Sequence, residues 1–292
     1  MGNTQKLKIA IFPVGGVGTR FLPATKNMPK EMMPLLNRPL IQWGVEEAVK
    51  SGCTDIIIVT GEGKEAIKAH FSRSFELESF LSAHGKEEYR KTVATIPALA
   101  KFSYTKQSQP LGLGHAVLCA ERLCKERPFA LLLPDDVMIA ENPVPAQLDA
   151  VRQKYGGSAI ALTRVSDEDT QRYGIADAEQ IEPGIYKIKS LVEKPKKGTA
   201  PSNLAVMGRY VLSPAIFKHL RSLQPGAGGE YQLTDAINSL LAEEPVYGVI
   251  YQGKRLDCGI TEGWLKANIQ LALQDAEMKK TVLEILKEEK II

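Results

Sequence analysis

Between Pro13 and Lys30 the chain sets glycines beside cations, a pairing suited to a phosphorylated ligand. The run Pro13-Val14-Gly15-Gly16-Val17-Gly18-Thr19-Arg20 follows directly on a short apolar segment. Backbone N–H groups at Gly15, Gly16 and Gly18 can approach phosphates or a base, because no Cβ stands in the way. Arg20, Lys26 and Lys30 come next, on a stretch whose prolines at 23, 29, 34 and 39 forbid a regular helix and stiffen it. Cations held on a rigid loop supply the fixed electrostatic stabilisation that phosphoryl transfer needs. A second chemical signal lies at Leu131-Leu132-Leu133-Pro134-Asp135-Asp136. Asp135 closes an apolar run and is well placed to hold Mg²⁺, which takes one or two carboxylates and fills its other positions with phosphate and water oxygens. Asp136 is the alternative ligand at that place.

The same residues exclude familiar sites. A dinucleotide fingerprint beginning at Gly16 needs glycine at position 21, which is Phe21. A Walker A loop needs Gly-Lys followed by Ser or Thr. Gly63-Lys64 is followed by Glu65, and Gly253-Lys254 by Arg255. No Ser-His-Asp or Cys-His arrangement is apparent. Cys53, Cys119, Cys124 and Cys258 lack zinc-ligand spacing and read as free thiols in a reducing cytoplasm. A net charge of +3, with Lys and Arg scattered among acids, is too small for a nucleic-acid binder. The polar start, running straight into a strand, predicts no signal peptide, and no apolar run approaches the ~20 residues that span a bilayer. A cytoplasmic protein with neither nucleic-acid nor membrane partners is expected.

These residues need a scaffold. The 292 residues, 44% hydrophobic and 24% charged, suit one large soluble domain or a domain with an appendage. Lys8–Phe12, Asp55–Val59, Phe129–Leu133 and Ser158–Thr163 are apolar throughout, as strands buried on both faces of a parallel sheet are. Leu40–Lys50 has helical spacing with Gly52 beyond its end, and Ala116–Cys124 predicts a second helix. Alternation of this kind argues for a doubly wound, mostly parallel α/β sheet with the glycine loop at its carboxyl edge. Past about residue 165, Ile185–Val192 and Ala205–Val211 read as strands without a crossover helix, an α+β region laid against the sheet edge. Thr261–Lys290 is helical in pattern, and its last part, from Met278, is amphipathic, either packing on the parent domain or making a subunit contact.

The stretch FPVGGVGTRFLPATKNMPKEMMPLLNRPLIQW resembles the N-terminal signature of bacterial UDP-glucose pyrophosphorylases, of the nucleotide-diphospho-sugar transferase fold. The likeness continues from about Lys8 to about Leu273 through Gln109–Ala116, Leu133–Asp136, Arg172–Gly174, Val192–Pro195, Gln232–Asp235 and Leu256–Gly259. It departs at Gly15, where the family usually has alanine, at Val17, where it usually has leucine, and at Asn37, where it often has aspartate. The resemblance implies a Rossmann-like mixed, mostly parallel sheet flanked by helices. It divides residues 1–275 into a nucleotide-binding part (about 8–165) and a sugar-binding part (about 166–260), followed by a C-terminal helix over 276–292. It also implies Mg²⁺-dependent conversion of UTP and glucose 1-phosphate into UDP-glucose and pyrophosphate, by a homodimer or homotetramer, in carbohydrate metabolism and polysaccharide biosynthesis. Gly15, Gly16, Gly18, Thr19, Glu31, Gln107 and Gly112 match nucleotide-side positions. Gln107 and Gly112 resemble the pair that reads the uracil edge, which an amide side chain can do by donating and accepting. Gly174 and Glu193 match sugar contacts, Asp135 and Asp257 the metal carboxylates, and Arg20, Lys30 and Lys194 the phosphate-binding cations. Glu193 and Lys194 would point to opposite faces of a strand unless the backbone bends there. A dTTP-using thymidylyltransferase of the same fold and a catalytically silent paralogue are the competing expectations.

Overall fold

The computed structural model describes residues 5–226 and 229–291. The chain enters on β1 (Ile9–Pro13), passes through the glycine loop, and makes a small hairpin from β2 (Pro34–Leu35) and β3 (Arg38–Pro39) before α1 (Leu40–Lys50). β4 (Asp55–Thr60) and β5 (Lys101–Lys106) flank α2 (Glu65–His70), α3 (Phe75–Ala83) and α4 (Glu87–Thr95). α5 (Leu113–Cys119) and α6 (Glu121–Cys124) lead to β6 (Phe129–Leu132), then β7 (Asp136–Ile139) and α7 (Val144–Tyr155). Next come β8 (Ser158–Arg164), β9 (Gly174–Glu182), β10 (Ile185–Glu193) and β11 (Leu204–Leu212). The chain closes with α8 (Ile216–Ser222), α9 (Leu233–Leu240), β12 (Val246–Ile250), β13 (Lys254–Asp257), α10 (Thr261–Ala272) and α11 (Ala276–Glu288).

A nine-stranded sheet in the order β5-β4-β1-β6-β11-β8-β12-β10-β9 forms the centre. Strands β5, β4, β1 and β6 run parallel, and β8 pairs parallel with β12. β11 is antiparallel to both neighbours, and β10 to β12 and β9. The sheet is therefore mixed. Alternation explains the apolar runs: Ile9, Ile11, Ile57 and Val59 face a core shared with α5, α8 and α9. Ala10, Phe12, Ile56 and Ile58 face a second core under α1 and α7.

Three local expectations change. β9 and β10 do extend the sheet at its edge, but β11 inserts between β6 and β8, buried along nearly all its length. The second helix starts at Leu113 rather than Ala116, behind Gly112 with φ of +97°, and breaks at Ala120. The C-terminal pattern divides at Leu273–Asp275, because the Asp275 carboxylate accepts from the N–H groups of Glu277 and Met278 and starts α11 anew.

A third, smaller core ties the site together. Phe21 and Met33 from the proline-rich segment pack with Val137 of β7, Leu256 of β13, and Ala267 and Leu271 of α10. The segment itself folds as single 3₁₀ turns at Thr19–Phe21, Ala24–Lys26 and Lys30–Met32, as its prolines require. None of the described helices is long and apolar enough to cross a membrane.

Candidate active site

β1, β4 and β6 present their carboxyl ends side by side, and the chain leaving each supplies part of the site. After β1, Gly18 adopts φ of +73° and reverses the loop, its carbonyl accepting from Thr25 Oγ1 at 2.7 Å. Gly15 and Gly16 line hollows that also contain Gln107 and Lys30. A Cβ on Gly15 would lie 2.7 Å from Gln107 Oε1, so glycine leaves room for that carboxamide. Gln107 Nε2 donates to the Gly112 carbonyl at 3.1 Å, which fixes the amide beside the start of α5.

Beneath the loop lies a buried ion pair. Lys64 Nζ donates to Glu31 Oε2 and to the Gly16 carbonyl, each at 2.8 Å. Glu31 is 1% exposed and Lys64 6%, so the pair acts as a strut for the loop rather than a surface bridge. Burial pushes the Glu31 carboxyl up, and Lys64 only partly offsets it.

Asp135, past the end of β6, meets Lys30 Nζ at 2.6 Å. Burial raises its carboxyl, but the Lys30 charge and hydrogen bond, with Arg20 behind, outweigh that and hold it below the usual carboxylate range. Asp257 ends β13 and pairs in register with Asp136. An atom at the Cβ position of Gly259 would lie 3.3 Å from Asp135 Oδ2, 3.4 Å from Asp257 Oδ1 and 3.8 Å from Arg20 Nη1. The two carboxylates thus converge on a cradle that any larger residue at 259 would fill. Hard oxygen donors so arranged fit a divalent cation that completes its shell with phosphate. Asp136 is set deeper, away from this cradle. It is 8% exposed, its oxygens are taken by Arg255 Nε at 2.8 Å and Gly208 N–H at 3.1 Å, and burial pushes its carboxyl up.

The residues expected to contact the sugar gather at the ends of β9 and β10. Gly174 is the register partner of Glu193, and a Cβ there would come within 3.3 Å of Glu193 Oε2. Glu193 Oε2 accepts from Thr234 Oγ1 at 2.7 Å. Lys194 has φ of +45°, and its N–H donates to the Tyr173 carbonyl at 3.1 Å. That left-handed residue is the bend which lets Lys194 line the same cleft as Glu193, with its ammonium 3.4 Å from the Glu193 carboxylate.

Two spaces result. A hollow of about 330 Å³ contains Gly15, Gly16, Lys30, Glu31, Gln107 and Gly112. A cleft of about 540 Å³ contains Arg20, Gly174, Glu193, Lys194 and Asp257. Asp135 lines both. Gly18 and Thr19 shape the loop from outside these spaces, and Thr19 is exposed. Sequence reasoning met Lys64 and Arg255 only in excluding a Walker loop, and Tyr173 only inside the Arg172–Gly174 stretch, and gave none of them a role. For Lys64 the available signal was a second glycine-rich turn after a buried parallel strand; Tyr173 and Arg255 carry none, since their partners are distant in sequence.

A fold and site of this kind define a class, and comparison with known proteins agrees. Residues 9–274 match the family described as nucleotidyl transferase, and the chain belongs to that family. Relatives named UTP–glucose-1-phosphate uridylyltransferase include one from Staphylococcus epidermidis, 46% identical over 97% of this chain and 99% of its own. One from Bacillus subtilis is 47% identical over 97% of each. Among solved structures, a UDP-glucose pyrophosphorylase complexed with UDP-glucose is 40% identical at a TM-score of 0.85, covering 92% of this chain and 100% of that one. A UTP-bound UGPase from Acinetobacter baumannii is 37% identical at 0.86, covering 97% and 99%.

Proposed function

We propose that this chain transfers the uridylyl group of UTP to α-D-glucose 1-phosphate, giving UDP-glucose and pyrophosphate. The observation that carries the reading is Asp135, which lines both the glycine-loop hollow and the sugar-side cleft. A reaction joining a nucleotide to a sugar phosphate needs its charged centre at such a junction. The names of the relatives and the ligands of the two solved neighbours support uridylyl over thymidylyl transfer. A putative glucose-1-phosphate thymidylyltransferase from Bacillus anthracis is similar at a lower TM-score of 0.68 and 26% identity.

In this reading Gly15, Gly16, Gly18, Thr19 and Glu31 form the nucleoside side, and Gln107 with the Gly112 backbone reads the uracil edge. Glu193 accepts from glucose hydroxyls while Gly174 lets the ring approach, and Lys194 holds the sugar phosphate as nucleophile. A phosphate oxygen of glucose 1-phosphate attacks the α-phosphorus of UTP in line, breaking its bond to the β-phosphate oxygen, and Arg20 and Lys30 neutralise the departing pyrophosphate. Asp135 and Asp257 would hold Mg²⁺, which when bound supplies charge neutralisation on the phosphate oxygens. Residues 8–165 then serve the nucleotide, residues 166–260 chiefly the sugar, and 276–292 the C-terminal helix. Exposed apolar side chains on α10 and α11 support a homodimer or homotetramer, and the free cysteines fit the reducing cytoplasm.

The experiment is pyrophosphate release from glucose 1-phosphate and Mg²⁺ with UTP, dTTP, ATP, CTP or GTP in separate reactions. Release with UTP that EDTA abolishes is expected. Release chiefly with dTTP moves the chain to the thymidylyltransferase branch, and none with any nucleotide overturns the activity.

A further inference from the structure

The β7–β13 ribbon places three functional groups on one face. Asp257 is the register partner of Asp136, so both side chains leave the same side, and Arg255, two residues before Asp257, joins them. The Arg255 guanidinium uses all its edges. Nε donates to Asp136 Oδ1 at 2.8 Å, Nη2 lies 2.5 Å from that same oxygen and also donates to Asp257 Oδ2 at 3.2 Å, and Nη1 donates to the Tyr173 hydroxyl at 3.3 Å. Its carbon also lies 5.5 Å from the Tyr173 ring centroid.

Each partner leads to a different part of the site. Asp257 Oδ2 accepts from Arg255, and Oδ1 accepts from the Gly259 N–H at 3.1 Å, on the side of the Gly259 cradle opposite Asp135. Asp136 anchors the ribbon to β11 through the Gly208 N–H. Tyr173 precedes Gly174 and accepts the N–H of Lys194 on its carbonyl. Arg172 is the nearest competitor for this position. Its contact with Asp257 is 3.9 Å, its side chain is 52% exposed against 20% for Arg255, and it is engaged with Asp169 at 3.1 Å.

We infer that Arg255 is a positioning residue that ties the carboxylate end of the site to its sugar-phosphate end. By holding Asp257 and Tyr173 on one planar fork, it sets the cation-binding carboxylate and the Gly174–Lys194 turn at a fixed separation. A lysine has one ammonium and cannot span the same three acceptors in fixed directions. The inference rests on the proposed uridylyl transfer.

The test is a double-mutant cycle with two readouts. One is the KM for glucose 1-phosphate. The other is Mn²⁺ affinity in the presence of UDP-glucose, from the free-ion electron paramagnetic resonance signal. Tyr173→Phe should raise the KM about five-fold, the loss of one hydrogen bond, and leave Mn²⁺ affinity unchanged. Arg255→Met should move both, weakening Mn²⁺ binding about 10- to 100-fold as loss of an outer-shell partner does. Adding Tyr173→Phe to Arg255→Met should raise the KM no further. Arg255→Lys should lie closer to Arg255→Met than to wild type. It also carries the cycle should Arg255→Met fail to fold, since its ammonium still neutralises Asp136. Additive KM effects, an Arg255 variant that moves only one readout, or full rescue by Arg255→Lys overturns the inference while the wild type turns over. A wild type that releases no pyrophosphate overturns the underlying reading and this inference with it.

Discussion

At Asp135 an anion and a cation meet where the glycine-loop hollow joins the larger cleft. Its 2.6 Å contact with Lys30 leaves both side chains 24% exposed, so water can reach the Lys30 ammonium when the carboxylate is removed. Asp135→Ala should therefore leave the fold intact while lowering kcat by about 100-fold or more, the scale of losing a preorganised electrostatic group. Lys194→Ala should lower kcat/KM for glucose 1-phosphate by about the same factor, with the KM for UTP little changed. Steady-state kinetics with each substrate varied in turn, beside a thermal melt, checks both, and turnover near wild type in either variant removes that residue from the mechanism. The glycine loop, its cations and Asp135 were legible as chemistry because each signal is local. Lys64 and Arg255 were not, because a lysine or arginine acquires its role from partners far along the chain. Glu193 and Lys194 lay between: their adjacency posed a problem of direction, and the positive φ at Lys194 resolves it.

At the scale of elements, the glycine loop is only as fixed as β1 beneath it, and β1 is paired between β4 and β6 and packed under α1. Gly44 of α1 crosses Phe12 so closely that a Cβ would lie 2.9 Å from the ring's Cε1. Phe12 is fully buried, so it has nowhere to move. Gly44→Ala should destabilise the protein by about 1–3 kcal/mol, measurable as a lowered urea midpoint, although alanine is the better helix former. An unchanged midpoint would mean that the α1–β1 contact is softer than its geometry. Runs apolar throughout foretold β1, β4, β6 and β8 within a residue or two, because both sheet faces are covered. The position of β11 was not legible, since a buried strand's sequence does not state which neighbours it takes. The α10–α11 break was also missed, as a single N-cap aspartate inside a helical pattern is a weak signal.

For the whole molecule, α11 has no buried residue although it is amphipathic, and Ile285 is 51% exposed. On α10, Leu265 is 53% and Ile269 43% exposed. A homo-oligomer using this face should lose mass in light scattering when Leu265→Glu and Ile285→Glu are combined, by desolvating charge at the contact. A wild-type monomer, or an assembly indifferent to both substitutions, argues against it. The central claim concerns the cleft: sugar phosphate and nucleotide react directly, with no protein nucleophile between them. Its most direct measurement uses UTP with sulfur in place of one non-bridging α-phosphate oxygen, as a single diastereomer, and determines the configuration of the UDP-glucose analogue formed. A single in-line displacement predicts inversion at phosphorus. Retention would mean two displacements through a uridylylated side chain, and would contradict this account.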